Sequence, residues 1–147
     1  MATVLVVDDE PTQRGMLREI AEHSGHEVAE AASLAEAEEM LEGREFELLV
    51  VDLRLEADPV SYEGLTLIQL LRDRNSPAGI VAVTKWHDNL DDSGFALGVS
   101  ALVRGADQFV NLALPALAER LIDALDVALG IRAWRLGVDS SMQPSGI

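Results

Sequence analysis

The chain has 147 residues, 26 acids against 11 bases, a formal net charge of −15 and no cysteine. That length suits one domain with a core of its own, and the lack of cysteine excludes disulfides, thiolate metal sites and cysteine nucleophiles. The acidic field repels phosphate backbones and anionic membranes, so neither nucleic acid nor a membrane is an expected partner.

The opening MATVLVV lacks the basic stretch of a signal peptide. The uncharged internal run from Gly94 to Val103 is far too short to span a bilayer. A cytoplasmic location is the resulting expectation.

Residues 3–7 read as a first strand, closed by Asp8 and Asp9. Its VLVV core is apolar without alternation, as in a strand buried on both faces of a parallel sheet. A helix opens near Pro11, a residue favoured in the first turn, and stops at Ser24-Gly25, where glycine supplies a left-handed cap. The second strand, 26–32, alternates polar and apolar residues, as expected nearer a sheet edge. Ser33 and Glu36 form a capping box that opens the second helix.

The third strand, 47–51, is again continuously apolar, and Asp52 closes it. A long loop from Arg54 leads to a third helix over about Gly64 to Arg74, with Leu65, Ile68 and Leu71 on one face. Asn75-Ser76-Pro77 breaks it. The fourth strand is 79–84. The long segment from Lys85 to Arg104 holds a fourth helix in its second half. The fifth strand is 107–110, and a last helix starts near Pro115, with Leu117, Leu121, Leu125 and Ala128 as its apolar stripe. The domain is expected to cover 1–135 and residues 136–147 to form a flexible tail. Because the chain ends soon after the last helix, no output domain is expected to follow.

Five strands alternating with five helices imply a parallel sheet with helices on both faces. The fold class is α/β, a flavodoxin-like (βα)5 doubly wound sheet of order 2-1-3-4-5. That order sets strand one beside strand three, and Asp8 and Asp9 beside Asp52, at the carboxyl ends where such sheets bind ligands. Two carboxylates ~4 Å apart repel by roughly 4 kcal/mol at an effective dielectric near 20. Three of them persist together by holding protons or a cation, and oxygen-only ligands favour Mg²⁺ or Ca²⁺. The competing reading is that these aspartates merely cap the helices that follow; the double Asp and the spacing argue against it.

Four stretches carry a family resemblance: VLVVDDEP at the start, VVDLRL around Asp52, AVT ending at Thr84, and GADQFV at 105–110. Together they resemble the receiver domains of bacterial two-component response regulators, in the right order from residue 2 to about 130. The resemblance implies that Asp8 and Asp9 bind Mg²⁺ together with Asp52 and the backbone carbonyl of Arg54. It implies that Asp52 is the phosphoacceptor, serving a histidine kinase or a phosphotransfer protein. Thr84 matches the switch hydroxyl, and Phe109 the aromatic that follows its movement. A receiver of this kind is a signalling module rather than an enzyme. Its output would come from the face of helix four, strand five and helix five, which meets a second copy or a downstream protein.

The chain departs from the family after strand five. The usual lysine position falls on Leu112 and the following proline position on Ala113, and Lys85 is the only lysine in the sequence. Losing such a charge-assisted partner weakens the site. Lys85, directly after Thr84, is either a substitute cation over the pocket or an ordinary exposed lysine. The alternative function is therefore a pseudo-receiver, an interaction module in which phosphorylation has lapsed.

Other polar groups carry less. His87, Asp88, Asp91 and Asp92 read as a solvated loop, and His23 and His26 as surface residues flanking a turn. Trp86 and Trp134 could mark contact surfaces. An aspartyl phosphatase usually needs an acid two residues after its nucleophile; Asp8 is followed there by Glu10 but Asp52 by Arg54, a poor fit.

Overall fold

The computed structural model describes residues 1–54, 63–85 and 94–137. Five parallel strands, β1 (Thr3–Val7), β2 (Glu27–Ala31), β3 (Leu48–Asp52), β4 (Gly79–Thr84) and β5 (Gln108–Asn111), alternate with helices α1 (Pro11–His23), α2 (Leu34–Gly43), α3 (Glu63–Asp73), α4 (Gly94–Arg104) and α5 (Leu117–Leu136). The sheet order is β2-β1-β3-β4-β5, the flavodoxin-like order expected of the sequence. The strand ranges differ from the sequence reading by one residue at most. The shift matters at β3, which includes Asp52, and at β5, which ends on Asn111 opposite Thr84.

Alternate residues of the central strands feed two separate cores. Val4 and Val6 of β1, Leu48 and Val50 of β3, and Val81 and Val83 of β4 pack with Leu17 and Ala21 of α1 and with Leu121, Leu125 and Ala128 of α5. Leu5, Val7, Leu49, Val51, Ile80 and Ala82 pack on the other face with Leu65, Leu67, Ile68 and Leu71 of α3 and Leu97 and Ala101 of α4. A fully buried Leu, Ile or Val stabilises by roughly 1.5–3 kcal/mol, so both faces anchor the central strands. Every residue of β3 and β4 is buried.

The helix starts follow local chemistry. Ser33 Oγ accepts the Glu36 N–H at 3.1 Å, as the capping box requires, while Glu36 reaches back to the N–H of Ala32. Helix α1 begins at Pro11, but its cap is Glu10, whose carboxylate accepts the N–H groups of Thr12 and Gln13. Helix α5 starts at Leu117, two residues after Pro115. The Arg120 guanidinium, on its first turn, donates to the carbonyls of Asn111, Leu114 and Pro115 and so braces the β5–α5 connection.

Gly64 shows why α3 begins where it does. A Cβ there would overlap the backbone of Asp52 and Leu53. Glycine lets the helix lie directly against the end of β3, which fixes the backbone that carries Asp52.

Trp86, the His87, Asp88, Asp91 and Asp92 group, residues 55–62 and most of the expected tail lie outside the described residues. His26 differs from its expected surface role: it is half-buried, and its Nδ1 accepts the N–H of Ala2 at 3.0 Å. Burial lowers its pKa and favours the neutral ring that can accept.

Candidate functional site

Asp8 follows β1 and Asp52 ends β3, and the parallel pairing of those strands matches Val7 with Val51. Their carboxylates therefore emerge side by side, and one oxygen from each of Asp8, Asp9 and Asp52 lies within 4.8 Å of the others. Asp8 is 0% exposed and Asp52 6% exposed. The sequence reading brought these three acids together, and the fold does so through strand register.

Backbone N–H groups hold the two buried acids in place. The Glu10 N–H donates to Asp8 Oδ1 at 3.0 Å, and the Arg54 N–H donates to Asp52 Oδ1 at 2.9 Å. Burial raises the pKa of Asp8. Burial first, and the neighbouring Asp8 charge second, push Asp52 up to about 7. A carboxyl at that value shares its proton with water near neutral pH, and a cation would displace it.

The donor set consists of three carboxylates. Oxygen ligands of this kind suit a hard divalent cation such as Mg²⁺ or Ca²⁺.

Thr84 ends β4 and is 1% exposed. Asp52 pairs with Val83 in the β3–β4 ladder, which sets Thr84 one residue beyond it on the neighbouring strand. Phe109 lies on β5, pairs with Ala82 in register, and packs partly buried against the α3/α4 core. Lys85 is exposed. Its charge adds a minor part to holding the Glu10 carboxylate below its ordinary range, after the backbone N–H groups of Gln13 and Thr12.

Leu112 is buried in the apolar cluster with Leu17, Leu121 and Val6. Its N–H donates to the Thr84 carbonyl at 2.9 Å. Leu112 thus serves the core between the sheet, α1 and α5.

Sequence reasoning missed Gln13. It is 8% exposed, and its Nε2 donates to Asp8 Oδ2 at 2.6 Å and to Asp52 Oδ2 at 3.0 Å. The signal was available: Gln13 is the third residue of α1, and helical side chains lean toward the amino end, here back over the carboxyl end of β1. Arg14, the next residue, donates to the Asp8 carbonyl at 2.9 Å and pairs with Glu30.

A family model of the response regulator receiver domain matches residues 4–123. The chain belongs to that family. Receiver domains are signalling modules, generally not enzymes, that bind Mg²⁺ at an acidic pocket and interact with histidine kinases or phosphotransfer proteins. The chain is 29% identical over 143 residues to the TorCAD operon transcriptional regulatory protein TorR of Escherichia coli, covering 96% of this chain and 54% of that protein. It superposes on NtrX of Brucella abortus with a TM-score of 0.78 at 28% identity, over 97% of this chain and 29% of NtrX. A response regulator of Burkholderia pseudomallei, solved with a phosphorylated aspartic acid, a calcium ion and citrate, gives a TM-score of 0.69 at 28% identity, over 98% of this chain and 76% of its own.

This receiver domain spans about half of TorR and under a third of NtrX, so what those whole proteins do does not follow for it. The expectation that nucleic acid plays no part, drawn from net charge, gains no support from a relative that is a transcriptional regulator. The charge of a receiver says nothing of what a longer regulator touches. Among the described residues, no helix is long and apolar enough to cross a membrane.

Proposed function

We propose that this receiver accepts a phosphoryl group on Asp52 from the phosphohistidine of a histidine kinase or a phosphotransfer protein, with Mg²⁺ held by Asp8, Asp9, Asp52 and the Arg54 carbonyl. The observation that carries the reading is the convergence of three carboxylates within 4.8 Å at the carboxyl ends of β1 and β3. The phosphorylated aspartic acid and calcium ion of the Burkholderia pseudomallei relative support it.

In the transfer, an Asp52 carboxylate oxygen forms the P–O bond as the P–N bond to the imidazole breaks. The ring, protonated on its other nitrogen, leaves as neutral imidazole. The cation supplies the positive charge without which three acids would repel the incoming phosphoryl group. The chain's own residues position the nucleophile: the Arg54 N–H orients Asp52, and Gly64 fixes the backbone behind it. Thr84 at the end of β4 is the hydroxyl that would turn to a phosphoryl oxygen, and Phe109 the ring that follows.

Output passes through the face of α4, β5 and α5 to a second copy or a downstream protein. On α4, Phe95, Val99, Leu102 and Val103 are exposed at helical spacing, Val103 by 81%. A cytoplasmic setting belongs to this reading.

One observation favours the alternative, a pseudo-receiver that works without phosphorylation: Leu112 is committed to the core where the family carries its lysine. A single experiment separates the two. Incubation with Mg²⁺ and a small phosphodonor such as acetyl phosphate should add one phosphoryl mass to the wild type and none to Asp52→Ala. An unmodified wild type at millimolar donor would leave the pseudo-receiver standing.

A further inference from the structure

Asp8 and Asp52 each use one carboxylate oxygen to accept a backbone N–H, from Glu10 and Arg54 respectively. The second oxygen of each is bound to the same nitrogen, Gln13 Nε2, at 2.6 and 3.0 Å. A neutral amide thus bridges two buried acids, and its partial positive charge lies where the pair most needs it. The backbone that carries the amide is fixed: the Gln13 main-chain N–H is capped by Glu10 at 2.6 Å, and the residue is 8% exposed. Nor does Leu112 relieve the pair, because it is apolar and packed in the core between the sheet, α1 and α5.

We propose that Gln13 is a resident competitor for the metal. Its amide holds Asp8 and Asp52 together. Oδ1 of each acid already accepts a backbone N–H, so a cation that took the other oxygen of each would have to open the amide bridge. Gln13 is a positioning residue that sets the Mg²⁺ concentration at which the site fills. This rests on the metal-binding reading above and goes beyond it, since it makes a side chain outside the ligand set the determinant of affinity.

The test uses Gln13→Met, which keeps the side chain's length and removes both donors. Titration of the full chain with MgCl₂ by calorimetry should give a dissociation constant at least about tenfold tighter than the wild type, because two hydrogen bonds to carboxylates are no longer lost on binding. In EDTA the variant should melt below the wild type, and its Mg²⁺-induced rise in Tm should be the larger of the two.

A dissociation constant equal to or weaker than the wild type's would overturn the proposal, because a merely preorganising amide would help the ion bind. Should the variant fail to fold, the wild type answers alone. The Gln13 side-chain amide resonances should shift along the MgCl₂ titration with the same midpoint as the calorimetric signal, and resonances that stay fixed while the ion binds would overturn it equally. A wild type that binds no Mg²⁺ would instead remove the metal-binding reading itself, a separate and recognisable result.

Discussion

The Phe109 ring packs so closely on the backbone of Gly98 that a methyl group at Gly98 would overlap three of its ring carbons. Strand β5 and helix α4 are keyed together at this point, next to the face proposed for output. Gly98→Ala sets two effects against each other. Overpacking a fitted contact costs about 1–3 kcal/mol, while alanine in place of glycine inside a helix stabilises by about 1 kcal/mol. Overlap with a ring is the larger effect, so a net loss of about 1 kcal/mol is expected in urea denaturation. Adding Phe109→Leu should recover part of it by removing the atoms in conflict. A Gly98→Ala protein as stable as the wild type would show that the ring has other room.

Asp52 gives a pH dependence whose sign can be worked out. Its folded pKa is raised to about 7, chiefly by burial and then by Asp8, against about 3.9 for an unfolded aspartate. Between those values the folded state keeps a proton that the unfolded state has released. Stability from this group is therefore fully present below about pH 4 and is lost as the pH rises toward 7. Asp52→Asn removes the titration. The variant should gain on the wild type steadily from pH 4 to 7 and hold its advantage at pH 8. Mg²⁺ should narrow the gap by stabilising the wild type more than the variant, which has lost one carboxylate ligand. Denaturation midpoints across that range decide it, and a gap that ignores pH would contradict the buried, charge-coupled site.

Much of this was legible in the sequence because the signals were local and redundant. Continuous apolar runs identify β1, β3 and β4 as central, and an aspartate at or just beyond the end of two adjacent strands forces convergence once the order is known. Gln13 escaped because its role depends on direction rather than residue type: a glutamine in a first turn is ordinary until the side chain leans back over β1. Leu112 was half legible. The sequence shows an apolar residue there, but only the packed core shows that the leucine serves α1 and α5. Asp107 sits in a motif that signalled the family, yet its work is done by arginines 35 and 28 residues away.

Ala116 precedes α5 with φ 59°, in the left-handed region that an L side chain adopts at a cost of roughly 1–2 kcal/mol. It is exposed and makes no side-chain cap. Ala116→Gly relieves the strain and gives back part of the gain through a more flexible unfolded chain. A net stabilisation of about 0.5–1 kcal/mol is expected by chemical denaturation. The change leaves the Arg120 guanidinium and its acceptor carbonyls in place, so the amide exchange of Leu112 and Ala113 should stay as in the wild type; faster exchange there would mean that Ala116 itself restrains the connection.

Asp107 organises the end of the sheet away from the acidic site. Its carboxylate, 4% exposed, accepts from Arg72 Nη2 of α3 at 3.1 Å, from Arg135 of α5, and from the Ile80 N–H of β4 at 2.9 Å. Arg72 in turn donates to the carbonyls of Gly105, Ser76 and Ala78. Removing one partner of a buried pair costs about 3–5 kcal/mol, but both guanidinium groups keep some access to water, which lowers the figure. Asp107→Ala is expected to lose about 2–4 kcal/mol of stability, since two cations and a backbone donor lose their acceptor. Arg135→Ala, the more exposed partner, should lose about 1 kcal/mol. Neither residue touches the acids at the other end of the strands, so Mg²⁺ affinity measured well below the melting temperature should match the wild type in both. A weakened affinity in Asp107→Ala would show that the two ends of β4 move together.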